Sequence, residues 1–336
     1  MGRRYLSSST LPIVAALPPI RGRWFFVDGT DGSDAYDGLS PERPLKTLYA
    51  TTTTTGDTGA YAKCTTAVGD GICILSSATA SASKSITISA SFTWSKCGIT
   101  VVGIDSGSFY NHRARITFAS AVTGYYLFNL TGHNNRFENV SFYNGSDLSD
   151  AQITTVKMVA ATGSSIARNK FENCHFVCTP GTASAYKCDL WLENAHENEF
   201  LTCTFGNASY DAGNNAACHI YIAGGANTGN AQNLFRDCIA VAQVSTGTAF
   251  GGLKSGSATS LNGAMFFDNC RFAVWQANAG VTAMASWFIG TCPTTGFIEQ
   301  PILMGYAAGD SVAGNDRVVS WSPDAAAGGQ IGVATA

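Results

Sequence analysis

The sequence predicts an all-β fold, a single-stranded parallel β-helix, and three observations lead to it. A short pattern recurs five times: NRFENVSF (135–142), NKFENCHF (169–176), NEFLTCTF (198–205), NLFRDCIA (233–240) and MFFDNCRF (265–272). Its Val/Cys position falls at Val140, Cys174, Cys203, Cys238 and Cys270, so the spacings are 34, 29, 35 and 32 residues. A variable spacing around a fixed short strand describes one structural rung with loops of changing length. Composition agrees: 36 glycines and only 13% charged residues, about half the usual share, suit many short strands and turns.

Each element then follows in order. Residues 1–23 hold four arginines and three prolines, and are predicted to form an extended docking arm rather than a signal peptide, because Pro12, Pro18 and Pro19 interrupt the apolar stretch. Residues 24–60 supply a first strand, Phe25-Phe26-Val27, and a short capping helix that Pro44 opens and Leu45–Leu48 continue. Residues 61–290 form the solenoid. Its repeat copies follow a second apolar stretch: YLFNL (126–130), VKMV (156–159), DLWL (189–192), HIYI (219–222) and, more weakly, FGGLK (250–254). Residues 291–336 are a cap or a subunit-contact tail, with one strand signal at Arg317–Trp321.

Stacking the repeat, one coil every ~4.8 Å, places Phe137, Phe171, Phe200, Phe235 and Phe267 in an internal aromatic ladder, over about six to nine rungs. The cysteine series forms a second internal column. Asn139, Asn173, Thr202, Asp237 and Asn269 fall where the chain must bend, and Asn and Asp accept the left-handed backbone there. Their side chains can also bond to one another along the axis. A β-sandwich accounts for the strands but not for five copies in phase.

The same residues exclude several function classes. Twenty basic against 23 acidic residues, net charge −3, leaves no basic field for nucleic acid. No apolar run reaches the ~18 residues of a membrane-spanning helix. Eleven cysteines, an odd number without a C-x-x-C pair, read as reduced, buried thiols and favour assembly in a reducing compartment.

The segment WFFVDGTDGSDAYDGLSPERPLKTLYAT (24–51) carries Asp28, Gly29, Gly32, Asp34, Asp37, Gly38, Ser40, Pro41 and Pro44 in the order D-G-x-x-G-x-D-x-x-D-G-x-S-P-x-x-P. It resembles the opening motif of right-handed β-helix proteins of the pectate-lyase-like superfold, common among bacteriophage virion proteins. The resemblance implies right-handed winding and a structural virion protein, used for capsid decoration or stabilisation and for adhesion to host-surface glycan. It also implies other virion proteins as partners, a homo-oligomer with a trimer favoured, and assembly in the host bacterial cytoplasm. The alternative it leaves open is a tail-spike-type polysaccharide depolymerase, a glycosidase or lyase.

Chemistry is thinly signalled. Glycoside hydrolysis needs two carboxyls ~5–9 Å apart, and Glu138 with Glu172, at one repeat position on adjacent rungs, are the best pair. Glu193, Glu197 and Glu199 near His196 form a second, weaker group. His133 and His196 are placed on one outer line two rungs apart. Asp28, Asp31, Asp34 and Asp37 are candidate cation ligands, against the simpler reading that they set turns. No cofactor is expected. For attachment, Arg3, Arg4, Arg21 and Arg23 are assigned to acidic groups on the particle, and Leu11, Ile13, Val14 and Leu17 to its apolar grooves.

Overall fold

A computed structural model describes residues 17–52, 56–75, 86–88, 90–104, 114–118, 126–145, 152–160, 165–178, 186–211, 218–224, 229–244, 250–276, 286–290, 297–304, 318–321 and 331–332. Arg3, Arg4, Leu11, Ile13 and Val14 lie outside them. The chain winds as a right-handed parallel β-helix with three faces. The first sheet has eleven strands, the second eight and the third seven. Seven successive coils contribute one strand to each face, from Gly71–Leu75 in the first to Ser286–Gly290 in the last.

The repeat explains the core. Its strand alternates, so Phe137 points inward while Arg136 and Glu138 face out. Phe137, Phe171, Phe200 and Phe235 are wholly buried and Phe267 nearly so. Their rings stack at centroid distances of 4.9, 5.0, 4.5 and 4.8 Å. The final aromatic of the repeat builds a second internal stack, Phe142, Phe176 and Phe205. Ala240 interrupts it before Phe272, and the alanine is also fully buried. Cys174, Cys203, Cys238 and Cys270 are buried free thiols. Burial pushes the thiols of Cys64 and Cys73 up to about 12 and raises that of Cys203. Cys64, Cys73 and Cys203 therefore stay neutral and pack as small apolar groups.

Between the first and second sheets the chain turns through one left-handed residue, at φ of 57, 50, 50, 53 and 51° for Asn139, Asn173, Thr202, Asp237 and Asn269. Asn173 Nδ2 donates to Asn139 Oδ1 at 3.2 Å and Asn269 Nδ2 to Asp237 Oδ1 at 2.6 Å. The first residue of the repeat has a stronger role that its composition did not announce. Asn135, Asn169, Asn198 and Asn233 form a buried amide ladder, each Nδ2 donating to the next Oδ1 at 3.1, 3.1 and 3.0 Å.

Two expectations need correction. No helix runs through Leu45–Leu48. Leu45 instead bridges Val27 in parallel, its N–H donating to Phe26 O at 2.8 Å, and Asp34 accepts from the N–H groups of Lys46 and Thr47. Those backbone bonds hold the segment extended, beyond what Pro44 can direct. The helical turn lies at Ala60–Lys63. Tyr61 from this turn packs with Tyr49, Phe92 and Trp94 over the N-terminal opening of the core. Nor does parallel pairing end at residue 290. Phe297–Gln300, Ile302–Met304 and Val318–Trp321 extend the first and second sheets.

Lys96 fastens the helical turn. Its Nζ donates to the carbonyls of Tyr61, Ala62 and Cys64 at 2.6, 3.0 and 2.7 Å. Lys96→Met keeps the aliphatic stem but loses three charge-assisted bonds. A loss of ~1.5–3 kcal/mol is expected in denaturant titration, and an unchanged midpoint would show that the turn does not need it.

Candidate functional site

The outward residues of the first sheet form two columns. One runs Thr100, Arg136, Lys170, Glu199, Leu234 and Phe266, the other Val102, Glu138, Glu172, Leu201, Arg236 and Asp268. Glu138 and Glu172 are thus direct neighbours, as their repeat position requires. They are also bound together by a cation. Arg136 Nη2 lies 2.9 Å from Glu138 Oε2 and 3.2 Å from Glu172 Oε2, and Lys170 Nζ lies 3.1 Å from Glu172. The hydrogen bond from Lys170, aided by the charges of Lys170 and Arg136, holds the Glu172 carboxyl below its usual range. A general acid needs the opposite shift. Glu172 therefore favours its ionised form, which does not suit it to the acid's role.

The Asp quartet is divided among separate turn contacts. Asp28 Oδ1 accepts from the N–H groups of Thr30 and Asp31, and Asp37 Oδ1 from that of Leu39. Asp34 Oδ2 takes the Thr47 hydroxyl. Among the described residues no three His, Cys, Asp or Glu side chains converge on a point that could hold a metal ion.

The Glu193–Glu199 group is divided: Glu197 and Glu199 line one groove, and Glu193 lies apart from them. Asn194 and Glu197 adopt left-handed backbone, at φ of 55 and 53°, and carry the chain around a corner. Glu193 stays beside the third sheet, accepting from Trp191 Nε1, while Glu199 joins the first. His133 and His196 do share an outer line: Ala167 pairs with His196, and its N–H donates to His133 Nδ1 at 3.1 Å. Partial burial lowers the His196 pKa, so its ring favours the neutral form.

Two arrangements go beyond the candidates above. One is a groove of about 500 Å³ on the outer face of the first sheet. Glu199, Leu234 and Phe266 line it along one column, with Arg236 and Asp268 from the other, and Glu197 and Gln232 complete the lining. Arg236 Nε is 2.7 Å from Asp268, and Arg168 Nε is 2.6 Å from Glu197. The other is interior. Asp189 Oδ2 meets His219 Nδ1 at 2.7 Å, both buried, and Asp189 Oδ1 accepts from the Cys178 N–H. Burial raises the Asp189 pKa, opposed by the bond to His219. DLWL and HIYI align these two residues on adjacent coils, which was the signal available for the pair.

Of the attachment residues within the described range, Leu17 is half-buried and Arg21 and Arg23 are exposed. The Arg23 N–H donates to Asp70 at 2.8 Å, and that of Gly22 to Gly69 O at 2.9 Å. Residues 22 and 23 therefore already belong to the first coil.

No protein-family model matches this sequence, and no curated protein does. Solved structures do match. Pectate lyase Pel9A has a TM-score of 0.50 at 15% identity, over 85% of this chain and 63% of the lyase. A rhamnogalacturonan lyase matches at a TM-score of 0.47 and 15% identity, over 89% of this chain and 66% of its own. A pectin methylesterase in complex with a hexasaccharide matches at 0.41 and 11%, over 80% and 89%. The chain spans less than two thirds of either lyase. These neighbours are enzymes acting on polysaccharides, and the likeness shows the parallel β-helix fold alone.

Proposed function

We propose that this chain is a structural protein of a bacteriophage particle, a β-helix displayed on the surface, with host-surface glycan as the ligand of its outer face. The observation that carries the reading is the treatment of carboxylates on the first sheet. Glu138, Glu172 and Asp268 on that sheet, and Glu197 at the corner before it, are each paired with a cation within 3.2 Å, while Glu199 enters no salt bridge among the described residues. A face whose carboxylates are mostly ion-paired suits a scaffold and a binding surface. The opening motif of residues 24–51 resembles that of right-handed β-helix proteins, a fold common among phage virion proteins, and is compatible with the same reading. Attachment is assigned to the segment before Arg21, with Arg3, Arg4, Leu11, Ile13, Val14 and Leu17 meeting acidic and apolar groups on other virion proteins. The proposed assembly is a homotrimer formed in the host bacterial cytoplasm.

A chain lacking residues 1–20 tests this directly. It is expected to keep its melting temperature and to lose particle binding. Decoration of particles at full occupancy by that chain would remove the arm as anchor. The fold shared with pectate lyase Pel9A favours a second reading, a polysaccharide depolymerase. Shortening of a bacterial surface polysaccharide by the purified protein, abolished in Glu138→Gln or Glu172→Gln, would establish it instead.

A further inference from the structure

We infer that the groove on the first sheet binds a linear glycan carrying free amino groups, and that it rejects acidic glycans. The inference rests on the glycan-binding part of the reading above and is independent of particle attachment. Three features of the groove lead to it. The first is charge. Its lining holds Glu197, Glu199 and Asp268 against the single cation Arg236. Arg236 is engaged by Asp268, and the outlying Arg168 by Glu197. Glu199 is exposed and enters no salt bridge among the described residues. Its column neighbour Lys170 is bound to Glu172. One carboxylate therefore faces the groove in excess of the cations around it. An ammonium group is its complement and a uronate or sulfate its opposite.

The second feature is the apolar lining. Leu234 and Phe266 are register partners in the same column as Glu199, and Phe266 is 36% exposed. A flat aromatic surface next to an acid receives the C–H face of a sugar ring and leaves its polar edge to the carboxylate. The third is the repeat along the groove. Glu199, Leu234 and Phe266 sit on three successive coils, ~4.8 Å apart, close to the advance of one sugar ring in an extended chain. A linear glycan laid along the axis meets one of these side chains per ring.

The test uses the purified full-length chain in calorimetric titrations with three hexamers: glucosamine, N-acetylglucosamine and galacturonate. The glucosamine hexamer is expected to bind roughly ten-fold more tightly than its N-acetylated form, and more weakly as salt rises. Glu199→Gln should erase that preference, and Phe266→Ala should weaken both amino-sugar hexamers alike. Melting curves of both variants confirm the fold, since each side chain is at the surface. Equal or tighter binding of the galacturonate hexamer, no binding of the glucosamine hexamer, or an unaltered preference in Glu199→Gln each overturns the inference. None of these outcomes touches the attachment result for the chain lacking residues 1–20.

Discussion

Phe200→Ala is expected to lower the unfolding free energy by ~3–5 kcal/mol, among the largest effects of any single substitution in this chain. Phe200 is wholly buried, with Phe171 stacked on one face at 5.0 Å and Phe235 on the other at 4.5 Å. Its edge meets Phe176 and Phe205 from the second sheet. Removing the ring leaves a cavity walled by four aromatics that are themselves held in register by strand pairing. They cannot collapse into it without shifting a coil. Phe200→Leu refills most of the volume and should cost clearly less. Equilibrium denaturation of both variants provides the check. A loss under ~1 kcal/mol for the alanine variant would mean that the surrounding rings close the cavity and that the stack contributes little.

The second large effect is expected at the amide ladder. Asn169 Oδ1 accepts from both the backbone N–H and the Nδ2 of Asn135, while its own Nδ2 donates to Gly132 O and Asn198 Oδ1. Asn169→Ala leaves several buried polar groups short of a partner, at ~1–3 kcal/mol each, and a total loss of ~3–5 kcal/mol is expected. Asn173→Gly is the control. It removes an amide from the exposed ladder four residues away while keeping a residue at ease with φ of 50°, and should cost under ~1 kcal/mol. Similar losses in the two variants would show that burial does not separate the ladders.

The sequence disclosed whatever repeats with the coil. The Phe stack needs one residue type at one position per rung, and the thiol column and the bends at Asn139 through Asn269 need one narrow class, so five copies display them. The amide ladder obeys the same logic at the repeat's first position, yet Asn is common enough here that its role was assigned to the bends alone. Features that occur once were hidden. The turn at Ala60–Lys63 is specified by Lys96, some 33 residues on, and the Pro44 signal near Leu45 yielded to hydrogen bonds from the first strand. Glu193 and Glu199 are close in sequence but separated by a corner, which neighbouring residue types do not reveal. The groove needs Glu199, Leu234 and Phe266 from three coils, and only an exact register brings them together.

The gap at Ala240 has a mechanical consequence. In this fold the strand-to-strand hydrogen bonds, the stacked rings and the amide ladder all act along the helix axis. Tension applied along that axis loads the coils in series, so the weakest junction opens first while the others remain closed. Tension applied across it loads the covalent chain and many junctions together. The second-sheet stack is broken at Ala240, between Phe205 and Phe272, so that coil lacks the dispersion contact its neighbours share. A pull on the two ends should make the protein yield there before it yields within the ring-stacked coils of Phe142, Phe176 and Phe205.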